Sequence, residues 1–143
     1  MKVLVIGELC NDEYVYCKVD RVSPEAPVPV ADIVRVNKMD GMAGNVANNL
    51  RAFDIEIDCH HNSRKQSIRK VRYVDEKTGQ HLLRVDTTHP NIDPFDVTSV
   101  SSQLDQYNVI VISDYNKGFV TYKTVQQLRT LFKGPILIDS KKD

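Results

Sequence analysis

Val109-Ile110-Val111-Ile112-Ser113-Asp114-Tyr115-Asn116-Lys117-Gly118 is the stretch whose reading decides the fold. Four apolar, mostly β-branched residues run without a polar break and then give way to polar side chains. A strand covered on both faces, as in a parallel sheet, reads as such a run. Two more runs share the pattern. Val3-Leu4-Val5-Ile6 leads into Gly7-Glu8 and then Asn11-Asp12, and Ile136-Leu137-Ile138 leads into Asp139-Ser140-Lys141-Lys142-Asp143. Helical periodicity lies between them. Ala43, Val46, Ala47 and Leu50 recur on one face after Gly41. Asp93-Pro94 reads as the start of a helix continued by Val97, Val100, Leu104 and Tyr107, and a further helix spans about 121–132, stopped by Gly134-Pro135. Strands alternating with helices predict one α/β domain with a mostly parallel sheet.

Residues 14–19 and 28–36 are strands of another kind, β-branched but part polar. Pro27 and Pro29 bar the second from a central position. Ile68–Val74 and Gln80–Val85 flank Asp75-Glu76-Lys77-Thr78-Gly79 and read as a hairpin. These pairs, near 14–36 and 68–86, form a small β-rich extension outside the main sheet.

Composition bounds the function. The chain has 143 residues, 41% hydrophobic and 27% charged, as a soluble globular domain does. Nineteen basic residues balance nineteen acidic ones, which argues against a nucleic-acid binder. No run is long enough to span a membrane, and Val3–Ile6 is too short for a signal-peptide core. Cys10, Cys17 and Cys59 are an odd number without metal-ligand spacing and read as reduced thiols of a cytoplasmic protein. Cys59-His60-His61 reads as a solvated loop rather than a metal site.

In open α/β sheets ligands sit beyond the carboxyl ends of the strands, where three polar clusters converge here. Gly41-Met42-Ala43-Gly44-Asn45 lets backbone approach a ligand closely, and it equally suits a plain helix start. On a strand, Lys70 and Arg72 share a face, with Arg84 opposite, near Arg64, Lys65 and Arg69. They suit a phosphate, or they protect an edge strand by charge.

Collinear motifs carry a resemblance to the ribokinase-like (PfkB-type) carbohydrate kinases, in particular the bacterial heptose-7-phosphate kinases. The most specific is Asp20-Arg21-Val22-Ser23-Pro24-Glu25-Ala26-Pro27-Val28-Pro29-Val30. Gly7 to Asp12 with Tyr14, Gly41 to Leu50, Arg69 to Arg72 with Leu82 to Asp86, Ser113 to Gly118 and Asp139-Ser140-Lys141 follow in family order. The resemblance implies a partial three-layer fold whose polar strand pairs form a β lid over a sugar site. It implies that Asp12 holds sugar hydroxyls and that Gly41 and Asn45 line the pocket. Lys70, Arg72 and Arg84 would meet the sugar phosphate, Asp114 and Lys117 border the reaction centre, and Lys141 faces nucleotide phosphates. It implies ATP and Mg in intact relatives, with no tight binding of either by this chain. It also implies a homodimer through lid strands, for which Val28, Val30, Val34 and Val36 offer an apolar face. Glu8 replaces a common Asp, Met42 the second of two glycines and Asn116 another glycine. The segment between Asp54 and Ile68 is short, and a strand–helix unit is expected to be absent there. The family's catalytic aspartate and anion-hole glycines fall beyond Asp143, so no catalytic base is assigned. The expected role is sugar recognition within a sugar kinase, without kinase activity by this chain alone. A non-catalytic sugar-phosphate binding module, or a subunit completed by another chain, are the alternatives.

Overall fold

The computed structural model describes residues 1–63 and 67–142. Arg64 and Lys65 of the basic stretch, and Asp143, lie outside the described residues.

The apolar runs form a parallel sheet of four strands. β1 (Lys2–Gly7) is flanked by β4 (Glu56–His60) and β7 (Val109–Asp114), and β8 (Ile136–Ser140) lies beyond β7. Alternation along β1 divides the core. Val3 and Val5 pack with Ala43, Val46 and Leu50 of α1 (Ala43–Arg51) on one face. Leu4 and Ile6 pack with Val97, Leu104 and Leu128 on the other, where α2 (Tyr122–Leu131) lies. Helical segments on both faces make the three-layer arrangement expected from the sequence. α2 begins with a reciprocal cap: Thr121 Oγ1 accepts from Thr124 N, and the Thr121 amide donates to Thr124 Oγ1.

The remaining strands form one four-stranded lid sheet rather than two separate pairs. Its order is β3 (Pro29–Met42), β2 (Leu9–Val22), β5 (Ile68–Asp75), β6 (His81–Thr88). Only β2 and β5 run parallel. The proline-bearing strand β3 is an edge, where its missing N–H costs no ladder bond. β2 and β3 run on beyond 14–19 and 28–36 because they continue without a break into the body. Gly41 accordingly lies in the last two residues of β3, which ends at Met42, rather than opening α1.

Three expectations are corrected. The segment after Asp54 does contain a strand, β4, so Cys59 and His60 belong to a sheet edge and not to a solvated loop. The sequence Glu56-Ile57-Asp58-Cys59 carries too few apolar residues to announce it. The helix expected from Asp93 is instead two short 3₁₀ segments, Val97–Ser99 and Ser101–Gln106. Asp96 Oδ1 accepts from the Thr98 amide, while the Ser99 and Ser101 hydroxyls donate to the carbonyls of Asp96 and Thr98. Such local bonds compete with the α-helical ladder. Finally, β8 is not buried: Leu137 is 59% and Ile138 50% exposed. Among the described residues β7 is its one strand neighbour, and a single neighbour leaves its side chains open.

Candidate functional site

β2 leaves the body and enters the lid at Asp12, whose register partners are Met39 on β3 and Lys70 on β5. Two residues on, Tyr14 pairs with Arg72, and Arg72 pairs with Arg84 of β6. Side chains two apart on a strand share a face. Asp12, Lys70, Arg72 and Arg84 therefore project to one side of the lid.

Arg72 Nη1 donates to Asp12 Oδ1 at 2.6 Å, and its guanidinium lies 5.0 Å from the centre of the Tyr14 ring. The Asp12 hydrogen bond, and after it the Asp12 charge, outweighs burial and holds the Arg72 guanidinium above its usual range. The other Asp12 oxygen lies against Gly41, where an added Cβ would come within 2.0 Å of it. Any side chain at position 41 would displace the carboxylate. Gly41 thus shapes the site by yielding room to Asp12.

A cavity of about 210 Å³ lies between this lid face and the carboxyl ends of the parallel strands. Lys70, Arg84 and Asp86 line it from the lid, and Tyr115, Lys117 and Lys141 from the body. Lys70 Nζ is 5.7 Å and Lys141 Nζ 5.1 Å from the centre of the Tyr115 ring. Arg84 donates to both oxygens of Asp86, so these two charges offset one another. Lys70, Lys117 and Lys141 have no carboxylate at ion-pair distance among the described residues. The cavity therefore carries an excess of positive charge shared between lid and body.

Asp114 lies apart from this cavity. Its carboxylate accepts from Lys142 Nζ at 2.5 Å, Ser140 Oγ at 2.9 Å and the Asn116 amide at 2.9 Å. Burial pushes its carboxyl up, but Lys142, the Asn116 amide and Ser140 together hold it below the usual carboxylate range. Lys142 also donates to the Val120 carbonyl. Asp114 thus joins β7, β8 and the loop before α2. Asn45 is exposed in the first turn of α1 and does not line the cavity.

Three residues of the site carried no separate assignment from sequence. Tyr115 supplies the ring between the lysines. Asp86 partners Arg84. Glu8 is fully buried and accepts from the amides of Tyr115 at 2.8 Å, Lys117 at 3.2 Å and Phe119 at 3.2 Å. Tyr115 sits inside the polar cluster that follows β7, which was signal enough to find it. The tertiary partners of Glu8 leave no trace in sequence.

Among the described residues, no three His, Cys, Asp or Glu side chains are grouped to hold a metal ion. The lysine cavity has the chemistry for one phosphate group.

This parallel body with a four-stranded lid is the fold of the ribokinase-like carbohydrate kinases. A carbohydrate kinase from Agrobacterium tumefaciens superposes with a TM-score of 0.56 at 10% identity, over 96% of this chain and 52% of that one. Phosphofructokinase-2 from Escherichia coli, solved with fructose-6-phosphate, superposes with a TM-score of 0.52 at 12% identity, over 100% of this chain and 56% of that one. In sequence, the bifunctional protein HldE of Syntrophotalea carbinolica is 30% identical over 99% of this chain and 36% of its own length. No family model matches the chain. The chain thus has the fold of the ribokinase-like, PfkB-type carbohydrate kinases, and its sequence relatives are HldE bifunctional proteins. It spans about a third of the length of the HldE relative.

Proposed function

We propose that this chain is the sugar-recognition part of a sugar-phosphate kinase of the heptose 7-phosphate type. Asp12 accepts hydrogen bonds from sugar hydroxyls. The sugar's phosphate lies in the cavity among Lys70, Lys117 and Lys141. The carrying observation is that lysines from both lid and body, unpaired with carboxylates, line one cavity beside the Asp12–Arg72 pair. An anion held there by charge-assisted bonds would draw the two parts together over the sugar. Gly41 keeps Asp12 in place, and Arg72 orients it. In an intact kinase the phosphoryl donor would be ATP with Mg, approaching from the side of Lys141. The residues described here assign no base for that transfer. The reading includes a cytoplasmic protein and a homodimer through the lid.

Replacing Asp12 by Ala tests the sugar site. Its loss should weaken heptose 7-phosphate binding by about 1.5–3 kcal/mol, the worth of hydrogen bonds to a charged group. Titration calorimetry of both proteins measures it, with circular dichroism verifying that the variant folds. Unchanged affinity would remove Asp12 from the site.

A second reading has one observation in its favour. The exposed Leu137 and Ile138 on β8 have the apolar character of a strand with cover on both faces. They suit a subunit whose sheet is continued by further polypeptide. Co-purification of a second chain, lost on changing Leu137 and Ile138 to Lys, would support it.

A further inference from the structure

We infer that Glu8 is the positioning residue of the cleft, acting through the loop that carries Tyr115 and Lys117. The inference rests on the sugar-phosphate reading above for its ligand and adds a residue that touches no ligand.

Glu8 sits where β1 ends and the chain turns into β2. Its side chain has no solvent exposure, yet no Lys or Arg pairs with it among the described residues. Its carboxylate is held instead by backbone. Oε2 accepts from the Tyr115 amide at 2.8 Å, and Oε1 accepts from the amides of Lys117 and Phe119 at 3.2 Å each. These donors span one loop, between β7 and α2. Its conformation is unusual, with Asn116 at φ 56° and Gly118 at φ 107°. Ordinary turn bonds do not account for the three amides. The buried acceptor does, and without it they would point at a space closed to water.

The main chain of Glu8 extends the same role. Its carbonyl accepts from the Ala43 amide at 3.0 Å, fixing the junction of Gly41 and Met42 to α1. One residue thereby ties together the loop bearing Tyr115 and Lys117 and the turn against which Asp12 packs. A carboxylate suits this place better than an amide, because both oxygens accept. A Gln would present an NH₂ to an amide N–H, losing at least one bond and opposing two donors. An Asp would stop one methylene short of the loop.

The test uses the 143-residue chain and two readouts. Hydrogen exchange at the amides of Tyr115, Lys117 and Phe119 should speed up at least tenfold in Glu8→Gln, relative to amides in the middle of β1. Unchanged exchange at all three would overturn the anchoring whatever the ligand. The second readout is a double-mutant cycle on heptose 7-phosphate affinity with Lys117→Met. Glu8→Gln should weaken binding about tenfold in the parent and by less than twofold in the Lys117→Met background, since the residue acts through Lys117. Equal losses in both backgrounds would show that Glu8 only supports the fold, and would overturn the positioning role. If the parent itself binds no sugar phosphate, the ligand reading fails. The cycle is then run with inorganic phosphate, with the same expected and contrary results. Absence of phosphate binding too, in a chain whose loop amides respond to Glu8→Gln, would overturn the claim that the loop is positioned for a ligand.

Discussion

Met42 stands at φ 55° and ψ −125°, a backbone conformation that suits glycine and that a side chain adopts at a cost. It is also buried, as part of the main core beside the lysine cavity. The two facts separate in a pair of substitutions. Met42→Ala loses the side chain and keeps the strain, whereas Met42→Gly loses the side chain and releases it. At most positions glycine is the less stable of the two. Here Met42→Gly should be the more stable by about 1 kcal/mol, the low end of the cost of such backbone strain, as chemical denaturation would measure. The reverse order would mean that the backbone at this junction is not strained. Asp114 gives a second test at this scale. Its folded-state carboxyl lies below its ordinary value of 3.8. Its contribution to stability is therefore present above that value and is lost as pH falls through the folded one. Urea midpoints taken from pH 6 down to pH 3 should fall more steeply for the parent than for Asp114→Asn. Parallel curves would mean that Lys142, Ser140 and the Asn116 amide do not favour the charged form.

At the scale of elements, the apolar runs of β1 and β7 were legible because both faces of each strand are covered, whereas the same pattern in β8 belongs to a strand left open. The hairpin of β5 and β6 was legible from its turn residues. The union of the lid strands into one sheet was not, because the pairing of β2 with β5 joins residues far apart in sequence and rests on register. β4 was hidden by its charged residues: Lys2 Nζ lies 3.0 Å from Asp58, and Tyr107 donates to the same carboxylate at 2.7 Å. Asp58 thus reads as polar loop in sequence while serving the sheet in space. The site was legible in part for the same reason. Lys117 and Lys141 announce themselves after the ends of β7 and β8, and Lys70 by sharing a strand face with Arg72, whereas their meeting around Tyr115 depends on how the lid lies over the body. The lid also carries a prediction. On the face away from Asp12, Ile33, Val36, Leu83 and Val85 are exposed beside the small core of Val15, Cys17 and Val71. Grouped exposed apolar side chains of this kind suit the homodimer proposed above. Sedimentation should show a dimer that Val36→Lys with Leu83→Lys converts to monomer. A monomer at every concentration in the parent would contradict it.

At the scale of the whole molecule, lid and body form two walls of one cleft. The lid brings Lys70 and Asp12, and the body brings Lys117, Lys141 and Tyr115. In the proposed reading such a cleft binds and orients a sugar phosphate, but transfer also needs a base and stabilisation of the moving phosphoryl group. The 143-residue chain incubated with ATP, Mg²⁺ and heptose 7-phosphate should form no phosphorylated product above background. Turnover that tracks the protein and disappears in Asp114→Asn would make Asp114 the base and contradict this division of labour. The central claim is the phosphate site shared by lid and body. Its most direct test is titration calorimetry of the parent chain with heptose 7-phosphate, the same heptose without its phosphate, and ATP. Heptose 7-phosphate should bind most tightly, and Lys70→Met should reduce its affinity at least tenfold while leaving the weak binding of the free sugar unchanged. Equal affinity for heptose with and without its phosphate would contradict the claim.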